Sequence, residues 1–228
     1  MQAQPPDTGG KPISERNGRA GAAPVRRWLE SLGRGLLFAA NFLKHPLTVG
    51  TFVESSPALV KRLLDGVDWQ GCRSVVELGP GTGAVTRELL ARLPPEARLL
   101  AVETNADFVA ALRRTIRDPR LTVVHGSAAD LRAHLRAHGL GRVDAAISGI
   151  PFSTMPEALR GAVLDAVRDA LSPDGRLLVY QHSNRVLPLL RDRFAHVLGE
   201  TEWRNLLPMR LFRCEQPIHE EVEAGSPG

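Results

Sequence analysis

Five short apolar runs, at residues 74–78, 99–102, 121–124, 143–147 and 176–180, alternate with four stretches of helical periodicity, at 84–93, 106–116, 128–138 and 156–171. This alternation constrains the fold more than any other feature of the chain. The runs are predominantly apolar with no strict alternation, so they read as strands covered on both faces. Strands of that kind, each followed by a helix, predict a doubly wound α/β domain with helices on both sides of the sheet. The end of the chain breaks the rhythm. Residues 195–203 and 209–215 read as two consecutive strands with no full helix between them. The expected sheet is therefore seven-stranded and mainly parallel, closed by an antiparallel C-terminal strand.

Ahead of this domain the pattern differs. Residues 1–24 are rich in Gly, Pro, Ala and charge and are expected to form a disordered tail. From Val25, Trp28, Leu29, Leu32, Leu36, Ala39, Ala40 and Leu43 recur at helical spacing until Pro46. Ser55 or Ser56 then caps a second helix that starts at Pro57 and runs to about Leu64. The chain thus divides into a tail (1–24), N-terminal amphipathic and lid helices (25–70), the α/β domain (71–218) and a flexible end (219–228).

Charge follows the same division. Residues 1–52 carry seven Lys/Arg against three Asp/Glu, while the other 22 Lys/Arg and 22 Asp/Glu cancel. The excess sits around the apolar stripe of the first helix, at Arg26, Arg27, Arg34 and Lys44 beside Trp28, where it can meet an anionic membrane. The longest apolar run, 36–43, is too short to span a bilayer. Cys72 and Cys214 lack metal-ligand spacing and read as free thiols. A cytoplasmic protein peripherally associated with membrane is expected.

The turn after the first strand carries the chemistry. "VVELGPGTGAVT" places Gly79, Gly81 and Gly83 where a doubly wound sheet binds its ligand, and "GPGTGA" satisfies the loose dinucleotide pattern. Glu77 argues against a dinucleotide, because a diphosphate in that turn would face a partly buried carboxylate. A ligand with an ammonium and a sulfonium, S-adenosylmethionine, reverses the sign, and its carboxylate can still use the helix N-terminus. Glu103, at the end of the second strand, is placed to take the ribose hydroxyls.

"VVELGPGTGAVT", "AVETNADFVAAL", "VVHGSAADL" and "DAAISGIPFSTMP" together resemble the successive motifs of the class I S-adenosylmethionine-dependent methyltransferases. The resemblance covers roughly residues 75–180. It implies a cofactor site built from Glu77, Gly79, Gly81, Thr82, Gly83, Glu103, Thr104, Asn105, Gly126, Ser127, Ala128, Ser148 and Gly149. Ser127 stands where the family commonly has an acid for the adenine amine.

Two branches share this style. The rRNA adenine dimethylases carry Asn/Asp-Pro-Pro-aromatic after the fourth strand, whereas this chain has Ser148-Gly149-Ile150-Pro151-Phe152. The bacterial phospholipid N-methyltransferases, which methylate phosphatidylethanolamine, resemble it better in that loop, in Met155-Pro156, and in Phe42-Leu43, Val49-Gly50 and Ser55-Ser56. Departures are Glu54, where a proline is expected, and "VYQHS", where a tyrosine is expected near His182. On this resemblance Ile150, Pro151 and Phe152 line the acceptor site, with Ser148 beside the reacting centre. His182 is the candidate to accept the amine proton and Tyr180 to orient the amine. No metal is implied, nucleic acid is a disfavoured partner, and a monomer is expected. The alternatives are an RNA methyltransferase and a non-catalytic nucleoside-binding module.

Overall fold

The computed structural model describes residues 55–205 and 207–219. The expectations for the tail 1–24 and for Arg26, Arg27, Trp28, Arg34 and Lys44 lie outside the described residues, as does the end beyond residue 219.

Ser56 caps helix α1 (Pro57–Leu64), its hydroxyl accepting the Leu59 amide at 3.1 Å, and Pro57 fills a first-turn position that needs no donor. The alternation follows as β1 (Ser74–Leu78), α2 (Ala84–Arg92), β2 (Arg98–Glu103), α3 (Ala106–Thr115), β3 (Leu121–His125), α4 (Leu131–Ala137), β4 (Val143–Ser148), α5 (Glu157–Ala170) and β5 (Leu171–Gln181). The chain then forms a short helix α6 (Leu187–Arg191), β6 (Phe194–Glu202) and β7 (Met209–Pro217). The sheet order is β3-β2-β1-β4-β5-β7-β6. Strands β1 to β5 pair in parallel, and β7 is antiparallel to both β5 and β6. The antiparallel strand is therefore inserted one place in from the edge, and β6 forms the edge and runs the same way as β5.

Strand parity sorts the two faces. Val75, Leu99, Ala145, Ile147 and Leu178 pack with α1 and α2, while Val76, Leu100, Ala146, Leu177 and Val179 pack with α4, α5 and α6. Each fully buried leucine or valine here contributes about 1.5–3 kcal/mol of transfer free energy. Helix α1, assigned by sequence to the segment before the domain, buries Leu59, Val60, Leu63 and Leu64 in the domain's own core.

Two segments depart from the sequence reading. Strand β5 starts at Leu171, not 176, because residues 172–175 bulge between the Val143 and Ala145 pairings. Pro173, Asp174 and Gly175 interrupt the pairing, and the register shifts across them from Val143 opposite Leu171 to Ala145 opposite Arg176. Helix α6 was not expected. It is only five residues long with Pro188 in its first turn, too short for a periodicity signal.

Gly83 ties α2 to α3. It adopts φ +82°, and a Cβ there would lie 2.7 Å from Leu112 Cδ2 and 2.9 Å from Ile116 Cδ1. Gly83→Ala combines left-handed strain with overpacking and is expected to lower stability by about 2–3 kcal/mol. Equilibrium urea unfolding checks this, and an unchanged midpoint would show that α2 and α3 can separate freely.

Candidate active site

Strands β1 and β4 lie side by side while their following strands diverge to opposite halves of the sheet, so the cleft between their carboxyl ends is the place where a doubly wound fold binds ligands. Two backbone bonds fix its rim. The Gly149 amide donates to the Leu78 carbonyl at 2.9 Å, and the Gly79 amide to the Val102 carbonyl at 2.9 Å. Gly79, Gly81 and Gly83 all take positive φ, at 72°, 53° and 82°, so the turn after β1 has a shape that other residues resist.

Glu77 sits beneath this turn at 1% exposure. Parity points it at α2, where its Oε2 accepts the Thr86 hydroxyl at 2.6 Å. Its Oε1 has no partner among the described residues. Burial, and then the nearby Glu103 carboxylate, push its pKa up to about 7 against the pull of Thr86 and Arg87. Glu103 ends β2 on the same face and is also buried. It accepts the Asn105 amide at 2.9 Å and the Gly81 amide at 3.2 Å, and burial raises its pKa. One acid thus braces the glycine turn while the other keeps an open oxygen under it.

Above these groups is a cavity of about 460 Å³. Of the residues singled out by sequence, Gly79, Glu103, Thr104, Asn105, Gly126, Ser127, Ala128, Ile150 and Pro151 line it together. Glu77, Gly81, Thr82, Gly83 and Gly149 belong to the end of β1 and to the two turns beside the cavity and do not line it. Asn105 also caps α3, accepting the Asp107 amide at 2.9 Å. His125 and His134, given no chemistry by sequence, hydrogen-bond to the Thr104 and Ser127 carbonyls at 3.0 and 3.1 Å and fasten two of the lining loops.

Sequence reasoning missed Val102, Phe108, Thr154, Leu159 and Val163 as wall residues, and gave Met155 and Pro156 no role in the site. Leu159 and Val163 are one helical turn apart on α5, and that spacing was the available signal. The cavity is therefore polar at the β2 and β3 ends and apolar beside α5.

The acceptor side requires three corrections. Phe152 does not form an apolar wall, because a single 3-10 turn, Phe152–Thr154, folds its ring into the core beside Val163, where it is fully buried. Ser148 is fully buried off the cavity wall, its Oγ 3.4 Å from the Ile150 amide, and shapes the loop. His182 lies off the cavity as well, its Nδ1 donating to the Pro208 carbonyl at 3.1 Å, because the strand has already ended at Gln181.

Tyr180 is off the cavity wall too, but it packs against the turn that carries Gly149. Its ring is buried, and a Cβ added to Gly149 would collide with the phenol oxygen and stand 3.1 Å from the Gly79 carbonyl. The phenol therefore occupies the junction of the β1 and β4 turns. Burial, and then Glu77, raise its pKa, so it stays protonated throughout the physiological range.

The cavity fits S-adenosylmethionine on three grounds. Glu103 on its wall offers a carboxylate suited to a diol, the left-handed Gly79 allows close backbone approach, and under the adjoining turn Glu77 keeps an orphaned buried acceptor suited to an ammonium.

The raised pKa of Glu77 has a measurable consequence. The unfolded chain ionises this group near its ordinary 4.5, whereas the folded chain keeps the proton to about 7. Stability contributed by the group is present below pH 4.5 and is lost as pH rises to about 7, a loss of roughly 3 kcal/mol. Glu77→Gln removes this dependence. Its stability relative to wild type is expected to improve by about 2–3 kcal/mol between pH 5 and pH 8, read from urea midpoints at the two values. A pH-independent difference would place the charge in a wetter site than the one described.

Residues 75–175 match the methyltransferase domain family. The chain is 31% identical over 186 residues to an ornithine lipid N-methyltransferase of Singulisphaera acidiphila, an alignment spanning 78% of this chain and 94% of that protein. A ribosomal RNA small subunit methyltransferase A of Thiobacillus denitrificans is 44% identical, but over only 70 residues, 31% of this chain and 26% of that protein. Among solved structures, the N-methyltransferase NodS of Bradyrhizobium japonicum in complex with S-adenosylhomocysteine superposes with a TM-score of 0.57. At 13% identity, covering 73% of this chain and 91% of that one, it supports the fold. Sequence motifs, cavity and comparisons agree: the chain belongs to the class I S-adenosylmethionine-dependent methyltransferases, as a relative of the lipid N-methyltransferases.

Proposed function

We propose that the chain methylates the primary amine of a membrane lipid head group, with phosphatidylethanolamine the acceptor that the Ser148–Pro151 loop implies. The observation that carries the reading is the inward position of Phe152. A loop with no exposed aromatic ring and no Asn or Asp after β4 offers a flat base neither a stacking surface nor a side-chain acceptor, whereas a small aliphatic amine needs only a narrow polar point. The alignment with an ornithine lipid enzyme over nearly its whole length supports a lipid acceptor and favours ornithine lipid as the second candidate. The match to the ribosomal RNA enzyme covers only 70 residues, 31% of this chain, and carries little weight for the acceptor.

S-adenosylmethionine, when bound, supplies a methyl carbon already activated by its sulfonium. The chain must then hold the cofactor, align a nitrogen lone pair and exclude water. On this reading Glu103 takes the ribose hydroxyls and Glu77 Oε1 the ammonium. Ser127 and Ala128 face the adenine. Tyr180, protonated and backed by a hydrogen bond from Ser55, presents an oxygen lone pair to an amine N–H and so turns the nitrogen towards the junction of Gly79 and Gly149. A phenol with a raised pKa does not accept the proton, and His182 stands away from the cavity. The ammonium proton therefore goes to water before the amine reaches its attacking position, and turnover rises with pH.

Two measurements test this. Cofactor affinity should strengthen as pH rises from 5.5 to 7.5, by up to about tenfold per unit, because the ammonium needs ionised Glu77 and that group protonates in the empty site below about 7. Glu77→Gln should bind more weakly with a flat profile, and calorimetry giving equal slopes for both proteins would remove Glu77 from the ammonium site. The second is a transfer assay with labelled cofactor against phosphatidylethanolamine, ornithine lipid and ribosomal RNA. Labelled lipid is expected, with Tyr180→Phe lowering kcat by about 10²-fold at unchanged cofactor affinity. Labelled RNA with unlabelled lipid would reject the proposed acceptor.

A further inference from the structure

Edge strand β6 runs parallel to β5, so its carboxyl end and the hairpin that joins it to β7 lie on the same rim of the sheet as the cofactor cavity. That hairpin is unusually apolar for an exposed turn. Trp203 is 73% and Leu207 52% exposed, and Leu159 on the cavity wall is 40% exposed. These are three of the five large hydrophobic side chains exposed among the described residues, and they share this rim.

The hairpin is held firmly. Glu202 is buried and receives the Arg204 amide at 2.7 Å, with Arg204 Nε and Nη2 at 3.1 Å. The Ser56 hydroxyl donates to the Arg204 carbonyl at 2.8 Å, and Asn205 Oδ1 accepts the Ser56 amide at 3.1 Å. His182, in the loop after β5, holds the hairpin through Pro208. A fixed turn that presents tryptophan to water forgoes the burial of a large apolar ring unless something else covers it. Within the described residues of the loops 181–186 and 202–210, Arg185, Arg204 and Arg210 face one acid, Glu202. Exposed Trp and Leu tips with a cationic surround suit the interfacial layer of an anionic bilayer.

We infer that the turn carrying Trp203 and Leu207 is a membrane-docking element that inserts these two side chains into the interfacial layer and sets the cavity rim against the lipid surface. The inference rests on the lipid reading above for its purpose, and on the exposure and fastening of the hairpin for its substance. It assigns His182 a positioning role, holding the hairpin, in place of proton transfer.

The test uses the full chain and vesicles of equimolar phosphatidylglycerol and phosphatidylcholine, at a salt concentration that screens distant charge. Trp203→Ser combined with Leu207→Ser is expected to weaken vesicle partitioning by about tenfold or more, with cofactor affinity and urea midpoint unchanged. Trp203→Phe should retain most of the partitioning. On aminolipid embedded in vesicles the double variant should raise KM, while on the same lipid dispersed singly in dilute detergent its rate should equal that of wild type. Unchanged vesicle partitioning would overturn the inference and leave the lipid substrate standing. Partitioning lost as expected by a protein that methylates no lipid would uphold the docking surface and reject the substrate. Self-association of wild type in sedimentation, abolished by the double substitution and without vesicle binding, would make the hairpin a contact between copies and overturn the inference.

Discussion

A carboxylate buried under a glycine turn is the constraint on which the site depends. Glu77 lies near the end of a strand in which Val75, Val76 and Leu78 are fully buried, with only Thr86 to satisfy it and Glu103 close enough to repel it. An unpaired buried charge is costly, and proteins usually replace it, pair it or protonate it. Here the pairing is half complete. The fold tolerates the remainder because β1 is flanked by β2 and β4 and cannot move to let water in. On the proposed reading the open oxygen favours a cationic group, and this would separate the turn from the phosphate-binding turns it imitates in glycine spacing.

The same central position explains how few residues hold the site. Three strand ends meet there, and backbone bonds from Gly79 to Val102, Gly126 to Glu103 and Gly149 to Leu78 pin each loop to its neighbour strand. Loops tied in this way need no long side-chain network. His125 and His134 add one bond each to a backbone carbonyl. Rigidity at the polar end contrasts with the apolar end, where α5 contributes side chains without hydrogen bonds to direct a ligand.

Features that depend on local pattern were legible in the sequence. The runs at 74–78 and 99–102 are strands because a two-face-buried strand has no other composition, and the turn of Gly79, Gly81 and Gly83 follows from the conformations it needs. Glu103 was legible as an acid at the cleft, where it lines the cavity, and Glu77 as an acid set against the glycine turn, because charge at the end of an apolar run has few structural uses. What was lost depended on three-dimensional direction. Phe152 was expected on the acceptor wall, but one 3-10 turn carries it into the core. His182 follows Tyr180 by two residues and would share its face in a continued strand, yet the strand stops between them. Leu159 and Val163 look like ordinary core positions of α5, and only the cavity beside them distinguishes them.

The tight pairing of Gly149 with Tyr180 bears on how acceptor choice is set. The phenol occupies the space that any side chain at 149 would need, so neither residue can change size without the other. A flat heterocycle brought to the same point would have to displace the phenol, and Phe152 could reach it only by leaving a filled core site, at a cost of several kcal/mol. A nitrogen on a flexible carbon chain meets neither obstacle. On the proposed reading, selectivity for an aliphatic amine therefore needs no dedicated recognition residue. It follows from the exclusion of flat acceptors by two packed side chains, with the phenol oxygen left as the polar point at the junction.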